Sequence, residues 1–132
     1  MEILQPPGWP RPKGYSNGIV ARGRTIFLGG QVGWNESETF ETSDFAGQFK
    51  QILNNIVTIL KEADAGPEHI VRMTWFIGDK QEYQSALKDI GAAYRDVIGH
   101  HYPAMSVIEV NGFIEDRAKL EIEATAVIPD PD

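Results

Sequence analysis

The chain has 132 residues, of which 42% are hydrophobic and 23% charged, the length and composition of one globular domain with its own core. Nineteen acidic and twelve basic residues give a net charge of −7, which disfavours the phosphate backbone of nucleic acids as a partner. The chain contains no cysteine, which excludes a disulfide framework, a thiolate nucleophile and a cysteine-ligated metal.

Residues 1–14 contain four prolines and two glycines and predict an irregular N-terminal arm. This arm lacks the basic and apolar regions of a signal peptide. No apolar run of the chain approaches the roughly 20 residues that span a bilayer. We therefore expect a soluble, cytoplasmic protein with a single domain over residues 1–132 and no membrane partner.

A β-hairpin is predicted after the arm, with strands over residues 18–21 and 25–32 and a turn at 22–24. Gly29 and Gly30 interrupt its second strand, as is typical of a bulge or of a position that another group approaches closely. Packing glycines would give the same pattern, so both interpretations stay open.

Apolar residues at helical spacing predict an amphipathic helix over residues 43–65. Ser43 or Asp44 can cap its start. We expect Gly66, in the left-handed conformation, and Pro67 to end it.

A strand rich in β-branched and aromatic residues is predicted over residues 70–77. Asp79 and Glu82 then resemble a capping box, which indicates a second amphipathic helix that ends at Gly99. Two further strands are predicted nearer the C-terminus.

Pro103 marks the start of the next predicted strand, along which side chains must alternate between two faces. One set is interpreted as the core face: Ala104, Ser106, Ile108 and Val110. The other set suits a cleft or an interface: Met105, Val107 and Glu109. Alternatively, Met105 only fills a gap in a half-buried strand. In the last strand, Leu120, Ile122, Ala124 and Ala126 alternate with Lys119, Glu121, Glu123 and Thr125, and the first of these sets is expected to face inward.

The predicted order β-β-α-β-α-β-β is typical of a two-layer α+β sandwich, with a mostly antiparallel sheet and both helices on one face. We expect Met105 and Val107 to lie on the open face of this sheet, which is then too apolar for contact with water. An exposed apolar sheet face favours association into a closed symmetric oligomer.

Four segments, in matching order, resemble the RidA family of enamine/imine deaminases, also called YjgF. They are Tyr15-Ser16-Asn17-Gly18, Gly29-Gly30-Gln31, Tyr102-Pro103-Ala104 followed by Ile108-Glu109-Val110, and Leu120 to Ala126. The resemblance runs from about Tyr15 to Val127. It implies a chorismate-mutase-like fold, a homotrimer with ligand clefts between subunits, and hydrolysis of reactive 2-imino or enamino acids to 2-keto acids and ammonia.

The chain departs from this family at the substrate site. The resemblance implies an arginine that clamps the substrate carboxylate where Met105 stands, a small polar residue where Val107 stands and a serine where Gly29 stands. A thioether cannot form the bidentate, charge-assisted pair of an arginine. Tyr15 at the cleft mouth and Glu121, the carboxylate linked to water activation, are retained.

Imine hydrolysis requires a positioned water, a proton for the nitrogen and a fixed substrate. We predict Glu121 as the catalytic acceptor or proton shuttle. The predicted substrate-binding residues are Tyr15, Gly29, Gly30, Met105, Val107 and His101. His100 and His101 could supply polar groups at the cleft rim or be ordinary loop histidines, and Glu121 could instead belong to an interface network.

Other chemistries lack their motifs: the chain contains no dinucleotide-binding glycine pattern, no phosphate loop and no zinc-protease motif, and the three histidines do not form a metal set. We therefore predict no metal and no cofactor. Three hypotheses remain. The chain could be an imine hydrolase whose substrate lacks the usual carboxylate or is held by another group, a non-catalytic trimer that binds a small molecule, or a translation-inhibiting ribonuclease. The net charge disfavours the ribonuclease.

Overall fold

The computed structural model describes residues 1–131, so the predicted domain end at Asp132 lies outside the described residues. The elements in chain order are β1 (Glu2–Leu4), β2 (Gly18–Val20), β3 (Gly23–Val32), α1 (Phe45–Lys61), β4 (Ile70–Ile77), α2 (Lys80–Ser85), α3 (Leu87–Val97), β5 (Ala104–Glu109) and β6 (Leu120–Pro129). A short 3₁₀ turn, Pro67–His69, precedes β4. Within the described part of the chain, none of the helices has the length and apolar character needed to cross a bilayer.

The main sheet has the strand order β3-β6-β4-β5, in which β4 and β5 are parallel and the other neighbours antiparallel. Helices α1 and α3 cover one of its faces. The core between the layers includes the fully buried side chains of Phe49 and Ile52 from α1 and of Leu120 and Ile122 from β6. The predicted two-layer α+β sandwich and the inward set of β6 are therefore confirmed.

Asp44 caps α1, because its carboxylate accepts a hydrogen bond from the Gly47 N–H at 2.9 Å. The predicted end of this helix was wrong in detail. Asp64, with φ of 56°, takes the left-handed conformation that the sequence assigned to Gly66, whose φ is −134°. The second predicted helix is divided into α2 and α3 at Ala86, which leaves the helical conformation with ψ of 4°.

The predicted β-hairpin was wrong. Strand β2 pairs with β1 inside the arm expected to be irregular, whereas β3 pairs along its length with β6. Gly23 has φ of 147°, and a Cβ there would overlap the carbonyl oxygen of Ile128. This glycine is therefore required for the close approach of β3 to β6 and not for a local turn.

The predicted faces of β5 were reversed. In the parallel pairing with β4, Met105 is opposite Met73 and Val107 is opposite Trp75. Met73 and Trp75 are buried beneath the helices, so Met105 and Val107 face the helical layer. Ser106 and Ile108 consequently lie on the open face, where both are exposed.

The open face of the sheet combines polar side chains, among them Arg72, Glu121 and Glu123, with a few exposed apolar ones, so the prediction of an apolar face holds only in part. Phe27 of β3 is 80% exposed and Ile108 of β5 is 46% exposed. Phe76 of β4 lies beside Ile108 on the same face. Side chains of this size exposed on one sheet face are typical of an association surface.

Candidate functional site

Three of the predicted site residues, Tyr15, Met105 and Val107, line one cavity of about 590 Å³ between α3 and β5. This volume lies within the usual range for small-molecule sites. The remaining lining residues are Lys13, Gly14, Trp75, Tyr83, Leu87, Ile90, Gly91, Tyr94, Arg95 and Tyr102. We refer to this space as the α3–β5 cavity.

The register of β5 on β4 places Met105 and Val107 in the α3–β5 cavity, beside Trp75. Trp75 is only 5% exposed, and its ring packs against Phe49 with centroids 4.8 Å apart. Its indole N–H is buried without a hydrogen-bond acceptor among residues 1–131. A buried donor without a partner carries a desolvation cost.

Tyrosines form much of the cavity wall. The rings of Tyr94 and Tyr102 stack with centroids 5.6 Å apart, and the Tyr94 hydroxyl donates to the carbonyl oxygen of His101 at 2.6 Å. Burial, with a smaller contribution from the nearby Tyr102, raises the pKa of Tyr94 above its ordinary value. Burial also raises the pKa of Tyr83. Both phenols are therefore neutral at physiological pH, and the wall itself carries no negative charge.

Among the described residues, Lys13 and Arg95 are the charged members of the lining, which includes no aspartate or glutamate of this part of the chain. Neither forms an ion pair within 4 Å among the described residues. The Arg95 guanidinium lies along α3 beside Gly91, where an added Cβ would be 3.2 Å from Nη1. In a chain of net charge −7, the cavity is therefore locally positive.

Tyr15 is held at the edge of β5 by its neighbour. Ser16 forms a bridge with Ala104, its N–H donates to the carbonyl oxygen of Pro103 at 3.0 Å, and its hydroxyl donates to the carbonyl oxygen of Tyr102. Tyr15 also lines a second pocket, on the open face of the sheet. Its aromatic ring is thus placed at the boundary between the α3–β5 cavity and the open face.

Gly29, Gly30 and Glu121 lie outside the α3–β5 cavity. The register between β3 and β6 shifts between Leu28 and Gln31, so the two glycines form a bulge. The Glu121 carboxylate lies against Gly30, where an added Cβ would overlap it. This close approach favours the first of the two interpretations of the glycine pair.

His101 does not line the α3–β5 cavity either. Its Nε2 is hydrogen bonded to the carbonyl oxygen of Ile70 at 2.6 Å, and its own carbonyl accepts the Tyr94 hydroxyl. The ring therefore joins the turn before β5 to the start of β4. His100 is exposed, with its Nδ1 3.4 Å from the Tyr102 hydroxyl.

Sequence reasoning missed Arg95, Lys13 and Trp75 as lining residues. Tyr83 and Tyr94 lie within the second predicted amphipathic helix and carry no site motif. Their hydroxyl groups could have indicated a partly polar surface, whereas Arg95 and Lys13 carry no motif that marks them. Within residues 1–131, no group of three histidine or carboxylate side chains is arranged to hold a metal ion.

The fold and the α3–β5 cavity define a small α+β protein with one cavity lined by aromatic rings and two basic side chains. A family model described as Endoribonuclease L-PSP matches residues 10–128. The chain is 32% identical over 111 residues to the 2-iminobutanoate/2-iminopropanoate deaminase of Escherichia coli, covering 82% of this chain and 83% of that protein. It is also 32% identical over 120 residues to a RutC family protein of Leuconostoc mesenteroides, covering 89% and 91%.

Among solved structures, a Rid family protein of unknown function, YyfB of Yersinia pestis, matches with a TM-score of 0.84 and 27% identity, covering 96% of this chain and 98% of that one. The chain belongs to the RidA family, also called YjgF. The chorismate-mutase-like fold implied by the sequence resemblance is confirmed with it.

Proposed function

We propose that this chain is an imine or enamine deaminase, which hydrolyses a reactive imine to a carbonyl compound and ammonia. The observation that carries the proposal is the convergence of Tyr15, Met105 and Val107 on one cavity of ligand size. Membership of the RidA family and the similarity to the Escherichia coli deaminase support it.

The reaction adds water across the C=N bond. Protonation of the imine nitrogen makes its carbon more electrophilic, and a water molecule attacks that carbon while a base accepts one of its protons. The resulting amino alcohol loses ammonia after a second proton reaches nitrogen, and the carbonyl group forms. One carboxylate that exchanges protons with water can serve both transfers, and Glu121 is the proposed group.

Glu121 cannot reach the α3–β5 cavity of its own chain, because it projects from the opposite face of the sheet. We therefore propose a homotrimer in which Glu121 and Gly30 of one subunit complete the cavity of another. The exposed apolar side chains of Phe27 and Ile108 support burial of the open face in such an assembly.

A non-catalytic, ligand-binding trimer is the second candidate, and Met105 is the observation that favours it. Without an arginine at this position, the implied carboxylate clamp is absent, and a small 2-imino acid would be held weakly. The name of the matching family model suggests a ribonuclease as a third candidate. The net charge of −7 weighs against a cleft for a polyanion.

The experiment that tests the proposal is ammonia release from freshly generated imines, compared with the uncatalysed rate. Imines should be prepared in place from alanine, 2-aminobutanoate and phenylalanine with an amino acid oxidase. Acceleration of at least one of these reactions is the expected result. If the protein accelerated none of the three reactions under conditions where the Escherichia coli deaminase is active, the proposal of an enzyme for 2-imino acids would be rejected.

A further inference from the structure

The charge of the α3–β5 cavity and its aromatic lining together indicate the kind of ligand that it can bind. Lys13 and Arg95 supply its formal charges, both positive, and no carboxylate among residues 1–131 lines it. The rest of the lining is dominated by large rings: Tyr15, Trp75, Tyr83, Tyr94 and Tyr102.

We infer that Arg95, with Lys13, binds the carboxylate of an acid with a large apolar or aromatic side chain, which packs against the ring of Trp75 and its neighbours. The inference rests on the proposed function insofar as this acid is the imine that is hydrolysed. It assigns to α3 the anion-binding role that Met105 on β5 cannot perform.

Arg95 is suited to this role by its surroundings. It is exposed and has no ion-pair partner within 4 Å among residues 1–131, so its guanidinium is available to an incoming anion. The absence of a side chain at Gly91 lets Nη1 lie close to the α3 backbone at the cavity wall. The next residue, Asp96, pairs instead with Lys50 at 2.9 Å. The planar guanidinium of Arg95 can then donate two parallel hydrogen bonds to a carboxylate.

The size and lining of the cavity favour a large apolar or aromatic side chain on the bound acid. A pyruvate-sized acid would fill a small part of about 590 Å³ and leave most of the apolar wall in contact with water. A phenyl or similar group would bury that wall, and aromatic rings pack favourably in offset or edge-on contacts with Trp75 and Tyr94. Met105 is an adaptable apolar neighbour for such a ring, because its thioether is flexible and packs well against aromatic groups.

Three stable probes separate these contributions by isothermal titration calorimetry: 3-phenylpropanoate, 3-phenylpropanamide without the charge, and propanoate without the ring. We expect 3-phenylpropanoate to bind tightest of the three. Arg95→Gln should weaken it roughly tenfold to a hundredfold, the range of a lost charge-assisted hydrogen bond, and leave the amide unaffected. Lys13→Gln should cause a smaller loss in the same direction.

Lys88→Gln is the matched control, because it removes one positive charge from α3 at a residue outside the cavity lining. It should retain the affinity of the wild-type chain for 3-phenylpropanoate, and the thermal unfolding midpoint of Arg95→Gln should be unchanged. The inference would be overturned if the acid and the amide bound equally, or if 3-phenylpropanoate and propanoate bound equally. It would also be overturned if Arg95→Gln bound 3-phenylpropanoate as tightly as wild type, or if none of the probes bound.

A parallel measurement of ammonia release keeps this inference separate from the proposed function. Faster hydrolysis of the phenylalanine-derived imine than of the alanine-derived imine, lost in Arg95→Gln, supports both. Hydrolysis that does not depend on Arg95 overturns the inference and retains the enzyme. Arg95-dependent binding of 3-phenylpropanoate without hydrolysis of any imine retains the inference and rejects the enzyme.

Discussion

Met105 and Glu121 lie on opposite faces of the same sheet. The pairing of β5 with β4 places Met105 beneath the helices, whereas Glu121 of β6 is opposite Phe76 on the open face and lies against Gly30. The two residues that the family resemblance assigns to one site cannot meet within one chain. The proposed reaction therefore depends on a second subunit.

Glu121→Gln should lower kcat for imine hydrolysis by roughly a hundredfold or more, the contribution typical of a general acid or base. The amide is nearly isosteric but cannot accept a proton from water. Glu123→Gln is the control, because Glu123 lies two residues further along the same strand and on the same face. Steady-state kinetics that show equal losses for both variants would contradict a specific role for Glu121.

Phe27→Glu should convert a trimer into monomers, because burying a carboxylate in the interface carries a desolvation cost that burying the phenyl ring does not. The mass measured by light scattering after size exclusion should fall from three times the 14.7 kDa of one chain toward 14.7 kDa. Imine hydrolysis should fall with it. Ile59→Glu, which changes an exposed apolar residue of α1 at the outer surface, should remain trimeric. A monomeric wild-type chain would reject the proposed assembly.

Met105→Arg should raise kcat/KM for 2-iminopropanoate roughly tenfold or more, since it restores a bidentate clamp for the carboxylate of a small substrate. Met105→Lys should give a smaller gain, because an ammonium group cannot form the two parallel hydrogen bonds of a guanidinium. Unchanged kinetics in Met105→Arg would indicate that Val107 and Gly29 have also remodelled the site.

Helix α1 and strand β6 could be predicted from the sequence because each carries one consistent periodicity, and β4 because it is rich in β-branched and aromatic residues. Strand β5 carries no such signal: both of its faces mix apolar and polar residues, and only its pairing with Met73 and Trp75 decides which face is buried. The prediction of a β-hairpin was wrong for a related reason: the partner of β3 is β6, about a hundred residues further along the chain, and no local pattern indicates it.

The residues of the candidate site also include some that the sequence could locate and some that it could not. Tyr15, Met105 and Val107 could be located from the family resemblance, and the structure brings them together. Arg95 could not be located from the sequence, because a single arginine in a helix is usually a solvated residue and no spacing rule links it to β5. Its place in the cavity follows from the packing of α3 over the end of the sheet.

Gln48→Met should destabilise the fold by about 2–4 kcal/mol, because buried backbone groups would lose their partners. The Gln48 amide donates to the carbonyl oxygens of Thr42 and Arg117 and accepts from the Lys119 N–H at 2.8 Å, although the side chain is fully buried. Urea unfolding measures the change. Gln51→Met, one helical turn away and bonded only to a side chain, should change stability by less than about 0.5 kcal/mol.

Gly91→Ala should stabilise the chain by about 0.5–1 kcal/mol, because alanine favours the helical conformation more than glycine does. The nearest atoms to the new Cβ would belong to the Arg95 guanidinium, with Nη1 at 3.2 Å, and this flexible group can move by a few tenths of an ångström. The contrasting variant is Gly33→Ala, whose Cβ would lie 2.6 Å from the Cβ of the buried Gln48 and should destabilise by about 1–3 kcal/mol. Urea unfolding of both variants measures these changes, and a destabilised Gly91→Ala would show that the wall of the α3–β5 cavity has no room beside Arg95.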